Sequence, residues 1–282
     1  MNQPRRLVLC ADDYAIHEGA TRGMLELIDG GRLTAVSAMA SSPLWREAAR
    51  DLARRRGGVA IGLHFDLTQS PFEGREPPYP LPGLIRAAVT GRLDAAKIGA
   101  EFERQLDAFE QALGFRPDHV DSHHHVHALP ALRTLVIAAL LRRYGALPAA
   151  QRPRLRDPAD APWRILGRPN AAKALTVAAL SSGFGRQARR VGLAANQGFS
   201  GFSAFEPEPI GREFAGAMQR LGPRPLVMCH PALSAPDTDP IGAARIAEQR
   251  FLAFDPALAA EIAMIRRDPT AVESAFAELW PD

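Results

Sequence analysis

Leu7-Val8-Leu9-Cys10-Ala11-Asp12-Asp13 is an apolar run that stops at two carboxylates. An unbroken run of this length fits a strand buried on both faces, the kind that builds a parallel sheet. Residues 18–30 follow with Met24, Leu25, Leu27 and Ile28 at helical spacing and Gly30-Gly31 as a stop, so strand gives way to helix. The alternation continues. Residues 34–40, 59–67 and 118–123 read as strands, and 43–56, 94–113 and 130–144 as helices. The helix over 94–113 carries Phe102, Leu106, Phe109 and Leu113 on one face and meets Gly114 at its end. Repeated β–α units predict an α/β fold around a parallel sheet, closed as a barrel or open with helices on both faces.

The second half is less regular. Residues 145–170 are rich in Pro and Arg, with a short strand near 154–156. Residues 171–195 read as one or two helices and 196–206 as a strand with its loop. A last apolar run, 225–229, stops at His230-Pro231, and helices are expected near 241–252 and 256–266. The Pro-rich stretch 71–83 reads as a long loop beside the third strand, where α/β scaffolds often place function. No repeat, low-complexity tract or linker breaks the chain, so residues 1–282 are expected to form one domain.

Four of the strands share a design. Each ends in titratable groups: Asp12-Asp13, His64 after Ile61-Gly62-Leu63, Asp121-Ser122-His123, and His230 after Met228-Cys229. In parallel α/β folds the strands point one way, and catalysts gather at their carboxyl ends. Five of the eight histidines crowd into His119-Val120-Asp121-Ser122-His123-His124-His125-Val126-His127. Imidazole is a poor core filler and a common metal ligand, so a metal site is the economical reading.

Each element also has a plainer explanation. An Asp after a strand can cap the next helix. Two adjacent carboxylates near a cation can instead divide the work, one as ligand and one as base. In an extended strand His123 and His125 share a face and His124 takes the other. His123 leads as a ligand candidate, followed by His127 and His125, while His124 and His119 suit packing or support. Asp121 could orient an imidazole through its free N–H. Arg154 and Arg156 could steer a substrate oxygen or pin a carboxylate, or lie on a solvated basic loop. Gly62 suggests a close backbone approach. His230 suits a general acid toward a leaving amine, or a buried histidine before a helix. Cys10 and Cys229 sit in apolar runs as packing groups, brought near each other if the sheet curls closed.

Together Ala11-Asp12-Asp13-Tyr14, Gly62-Leu63-His64-Phe65-Asp66-Leu67-Thr68, Pro117 to His127, and Met228-Cys229-His230-Pro231 resemble the YdjC-like carbohydrate deacetylases, which include chitooligosaccharide and hopanoid-associated deacetylases. The histidine tract looks more like the chitooligosaccharide branch. The resemblance implies a deformed, seven-stranded, TIM-like β/α barrel. It implies hydrolytic release of acetate from an N-acetylated amino sugar with one divalent metal, usually magnesium. Asp13, His64 and His123 would hold the metal, Asp12 would be the general base and His230 the general acid. Two imidazoles suit zinc or another transition metal better than magnesium. The family usually reads Ala-Asp-Asp-Phe-Gly where this chain has Tyr14-Ala15, so the turn after Asp13 is expected to avoid positive φ. Residues 145–200 carry no matching motif. Family precedent leans toward a homodimer.

The alternative is a metal-dependent phosphoesterase or amidohydrolase barrel. Those commonly place His-X-His on the first strand, where this chain has Asp-Asp. A metal-buffering or sugar-binding protein without turnover would not need titratable groups at four strand ends. Composition narrows the rest. With 46% hydrophobic residues the chain can bury a large core, and a net charge of +3 without a basic–aromatic tract argues against nucleic acid. No run of apolar residues is long enough to span a membrane and no secretory leader pattern opens the chain, so a cytoplasmic setting is expected.

Overall fold

The computed structural model describes residues 7–69 and 79–255. Seven strands form one sheet: β1 (Val8–Tyr14), β2 (Ala35–Ala38), β3 (Ala60–Phe65), β4 (His119–Ser122), β5 (Arg154–Leu155), β6 (Phe199–Ser200) and β7 (Leu226–Cys229). Their order is β5-β4-β3-β2-β1-β7-β6 and every pairing is parallel. The two edges approach each other. Leu155 bridges Ala195 in parallel, its N–H donates to Ala194 O at 2.8 Å, and the Asn196 amide brackets the backbone of Asp157. The sheet is therefore curled into a deformed β/α barrel whose last closure runs through the segment leading into β6.

The helices of the described residues are α1 (Glu18–Asp29), α2 (Trp45–Ala53), α3 (Leu81–Val89), α4 (Ala95–Leu113), α5 (Leu132–Tyr144), α6 (Pro162–Ile165), α7 (Ala171–Leu180), α8 (Phe184–Arg190), α9 (Ile210–Ala217) and α10 (Gly242–Phe254). The expected loop over 71–83 is corrected at its end: Pro82 sits in the first turn of α3, where its missing N–H costs nothing. Residues 70–78 and the helix expected at 256–266 lie outside the described residues. The short α6 and the helix α9 gave no signal in the sequence reading. No helix among the described residues is long and apolar enough to cross a membrane.

Strand alternation sorts side chains into two layers. Leu7, Leu9 and Ala11 pack outward with Val36, Ile61, Leu63 and the surrounding helices. Val8, Cys10, Ala35, Ala60, Leu226 and Met228 pack inward with Phe199 and Phe202, and with Ile165 and Ala174 from α6 and α7. Further along the inward rows come Asp12, Ser37, Gly62, His64, Asp121 and His230. The inner face thus changes from apolar to polar toward the carboxyl ends, which is where the sheet positions a site. Cys10 and Cys229 lie on neighbouring strands, with Cys229 Sγ 3.4 Å from Cys10 O.

Candidate active site

Strand β1 loses its register between Ala11 and Tyr14, so its last residues bulge out of the ladder. Asp13 adopts φ 68° and Ala15 φ 73°. Ile16 N–H donates to Asp13 O at 3.0 Å, closing a tight turn with Ala15 at its third position. The expectation that this turn avoids positive φ is therefore corrected. Ala15 takes the left-handed conformation that glycine usually supplies, at about 1 kcal/mol of strain. Surrounding bonds over-determine it: Ser42 Oγ donates to Ala15 O at 2.5 Å, Met39 N to Tyr14 O at 2.9 Å, and Tyr14 Oη to Ala48 O at 2.8 Å.

The turn delivers Asp13 to two imidazoles. Asp13 Oδ1 lies 2.8 Å from His123 Nδ1 and 3.2 Å from His64 Nε2. Ligand atoms of all three residues fall within 4.8 Å of one another. On its other side His64 Nδ1 lies 2.7 Å from Asp121 Oδ1, which fixes the ring and leaves Nε2 facing Asp13. Burial disfavours charge on His64, yet Asp121 and Asp13 outweigh it and push the imidazole up to about 10. Burial works against the Asp13 charge too, but His123 and Arg245 hold its carboxyl well below the usual range. Gln69 Nε2 lies 2.9 Å from His123 Nε2, and turning that amide over offers its oxygen instead, so either tautomer of His123 is served.

These donors fit a divalent cation. One carboxylate and two imidazoles point at a common place, and Asp121 orients one of the rings as carboxylates do behind metal-bound histidines. The charges agree. Asp12, Asp13 and Asp121 face Arg156, Arg245 and a His64 that holds a proton, so a cation at this place would take over the charge of that proton.

Asp12 points along the inner face into a fork. Arg156 Nη1 and Nη2 donate to its two oxygens at 2.5 and 2.6 Å. Arg156 Nη2 also pairs with Asp121 Oδ2 and lies 3.2 Å from Cys10 Sγ. Ser37 Oγ donates to Asp121 Oδ2 at 2.6 Å and lies 2.8 Å from His119 Nε2. Burial acts against the charges here, yet the mutual pairing raises Arg156 and lowers Asp121 well past their ordinary values. Of the readings open for Arg154 and Arg156, a solvated loop is excluded: both are buried, at 6% and 1% exposure. Arg154 sits lower, at the register of His119.

The histidine tract does not continue as a strand. β4 ends at Ser122, and His123–Ala128 is a tight turn in which His124 and His125 adopt φ 55° and 58°. Strand alternation therefore does not apply beyond Ser122. His124 turns outward, its Nδ1 3.0 Å from Thr68 Oγ1. His125 packs its ring edge-to-face on Phe199 and Phe202, at 5.2 and 5.8 Å between centroids. His127 is buried between Ser122 Oγ and Arg156 O, 2.7 Å from each, and so braces the backbone that carries Arg156. His230 ends β7 with its ring against Phe205, centroids 5.4 Å apart, and its Nδ1 has no hydrogen-bond partner among the described residues. Burial pushes it down to about 4, although Asp13 and Asp12 oppose that.

Three contributors escaped the sequence reading: Gln69, and Arg245 and Glu248 from α10. Arg245 Nη2 donates to Asp13 Oδ2 at 2.6 Å. Glu248 accepts the backbone N–H of His230, and burial raises its carboxyl to about 8. The available signal was their spacing: 245 and 248 share the helix face that packs inward, where charged residues are rarely buried without partners. His17, outside the strand-end pattern, caps α1 by accepting Ala20 N–H at 3.1 Å.

A family model described as YdjC-like protein matches residues 6–263. The chain belongs to the YdjC-like family. Among curated proteins, this YdjC-like chain is similar to a chitooligosaccharide deacetylase of Enterobacter sp. (strain 638), with 33% identity over 147 residues, 49% of this chain and 56% of that one. It is similar to a second protein of that name from Serratia marcescens, at 34% over 143 residues, 47% of this chain and 54% of that one. The matched region thus spans just over half the length of these relatives. A solved structure from Enterococcus faecalis V583, assigned to cellobiose-phosphate cleavage, shares the fold with TM-score 0.64 and 21% identity over 92% of this chain and 94% of that chain.

Proposed function

We propose that this YdjC-like chain is a metal-dependent carbohydrate N-deacetylase acting on an N-acetylated amino sugar of the chitooligosaccharide type. The observation that carries the reading is the convergence of Asp13, His64 and His123, from three strand ends, beside an Asp12 fixed by Arg156. The names of the curated relatives support the substrate class. A divalent ion held by those three residues would polarise the acetamide carbonyl and lower the pKa of a water beside it. Family precedent favours magnesium, whereas the two imidazoles favour zinc or another transition metal.

Asp12 is the general base. Arg156 occupies one position on each of its oxygens, and a carboxylate has about four lone-pair positions, so Asp12 keeps accepting capacity for a water proton. Arg156 also keeps Asp12 aimed. Asp121 holds the His64 ring, and His127 holds the Arg156 backbone. His230 is the acid for the leaving amine. Its resting form near neutral pH is uncharged, so it must be loaded with a proton first, and the nearby Asp12 and Asp13 charges favour that.

The test is acetate release from a panel of N-acetylated sugars by the metal-loaded protein, with Asp12→Asn alongside. The reading expects turnover that is lost in Asp12→Asn while metal binding persists. Turnover of phosphate esters with no acetate released from any sugar would overturn it.

A further inference from the structure

Asp13 has two oxygens, and the imidazoles use one. Oδ1 faces His123 and His64, while Oδ2 receives Arg245 Nη2 at 2.6 Å. Arg245 is itself anchored. Its Nε donates to Asp239 Oδ2 at 2.8 Å, and that same oxygen lies 3.1 Å from Nε2 of His17, the cap of α1. The side chains of Arg245 and Asp13 are 2% and 1% exposed. A buried ion pair is a poor device for stability alone, because desolvation offsets most of the attraction. This one has a geometric consequence: it ties a candidate metal ligand to α1 and α10 and uses up one of its oxygens.

We propose that Arg245 is a positioning residue that occupies Oδ2 of Asp13, so that Asp13 offers a cation one oxygen rather than two and holds it less tightly. The inference rests on the metal-site reading given above. Without the guanidinium, Asp13 would present its full charge and both oxygens to the ion, binding it more strongly but in an orientation not fixed toward Asp12. Arg245 thus trades metal affinity for aim. A purely structural role predicts the reverse, since a slackened site would lose affinity and turnover together.

The experiment is calorimetric titration of Zn2+ and Mg2+ into the metal-free full chain, with acetate release and thermal melting on the same samples. The variants are Arg245→Met, Arg245→Lys and His64→Ala. Arg245→Met is expected to bind the ion about tenfold more tightly or better, because a positive charge beside the ligand is gone, and to turn over about tenfold more slowly or worse. Arg245→Lys keeps the charge but not the planar fork, so affinity returns to within about threefold of wild type while turnover stays depressed. Equal or weaker binding by Arg245→Met overturns the inference. If Arg245→Met does not fold, Arg245→Lys decides: turnover falling with affinity held supports the inference, and both falling in parallel, or neither falling, overturns it. His64→Ala separates the two layers. An ion that binds the wild type no better than His64→Ala, or not at all, sinks the metal-site reading itself.

Discussion

Gly62→Ala tests how the inner layer beneath the site is packed. A Cβ at residue 62 would stand 2.2 Å from His119 Nε2 and 2.4 Å from its Cδ2 and Cε1. Ordinary carbon contacts begin near 3.5 Å, so the ring must retreat by roughly 1 Å. That retreat breaks the 2.8 Å contact between His119 Nε2 and Ser37 Oγ. Ser37 also donates to Asp121, whose other oxygen aims His64, so the disturbance reaches the candidate metal ligand in two steps. Overpacking costs about 1–3 kcal/mol and a lost buried hydrogen bond about 1–3 more, so Gly62→Ala should cost about 2–6 kcal/mol, a large share of a typical stability. Urea denaturation at fixed pH measures it. The clash should vanish when His119 is also truncated, so the cost of Gly62→Ala should drop by about 1.5 kcal/mol or more in a His119→Ala background. An equal cost in both backgrounds, or a cost below about 0.5 kcal/mol in the wild type, would refute the packing argument.

Asp121→Asn should weaken Zn2+ binding by about 10–100-fold: the amide keeps one acceptor oxygen, the Ser37 and Arg156 donors claim it, and its NH2 then faces His64 Nδ1 in place of an acceptor; a calorimetric affinity equal to wild type would contradict this. Ala15→Gly should raise stability or leave it unchanged, with relief of up to about 1 kcal/mol of left-handed strain set against the unfolded-state entropy of glycine, and a melting temperature lowered by several degrees would show that the turn is not strained. Acid should destabilise the metal-free protein. His119, His127 and His230 are pushed down to about 4, chiefly by burial, so below pH 6.5 the unfolded chain binds protons that the folded chain refuses. Their stabilising neutrality is present above that pH and is lost as pH falls toward 4. Glu248 and Asp157, raised by burial to about 8 and 6, act the other way, but the histidines outnumber them. The melting temperature should therefore fall between pH 6.5 and 4, and a flat or rising profile would contradict the assignment.

Much of the frame was legible because buried parallel strands announce themselves as unbroken apolar runs. All seven strands fall where hydrophobic runs or their remnants place them, down to the two-residue β5 at Arg154–Leu155. The convergence of Asp13, His64 and His123 was legible for a related reason: parallel strands bring their last residues to one rim. What was not legible depends on local backbone and on distant chain. The paired left-handed residues His124 and His125 break the alternation expected from a strand, and nothing in a run of identical side chains signals that. Ala15 violates the usual chemistry of its turn because tertiary hydrogen bonds hold it there. Arg245 reaches Asp13 from 232 residues away, a pairing set by how α10 docks and by no local pattern. Arg156 stayed open between pinning a carboxylate and lying on a solvated loop, because only the placement of β5 carries it inside the barrel onto Asp12.

The most direct test of the central claim is the anomalous diffraction of crystals grown with Zn2+. The account predicts one strong peak enclosed by Asp13 Oδ1, His64 Nε2 and the His123 imidazole. A peak instead between Cys10, His119 and Asp121, a rival donor cluster one layer below, or among Asp12, His64 and Asp121, or no bound ion at all, would contradict it.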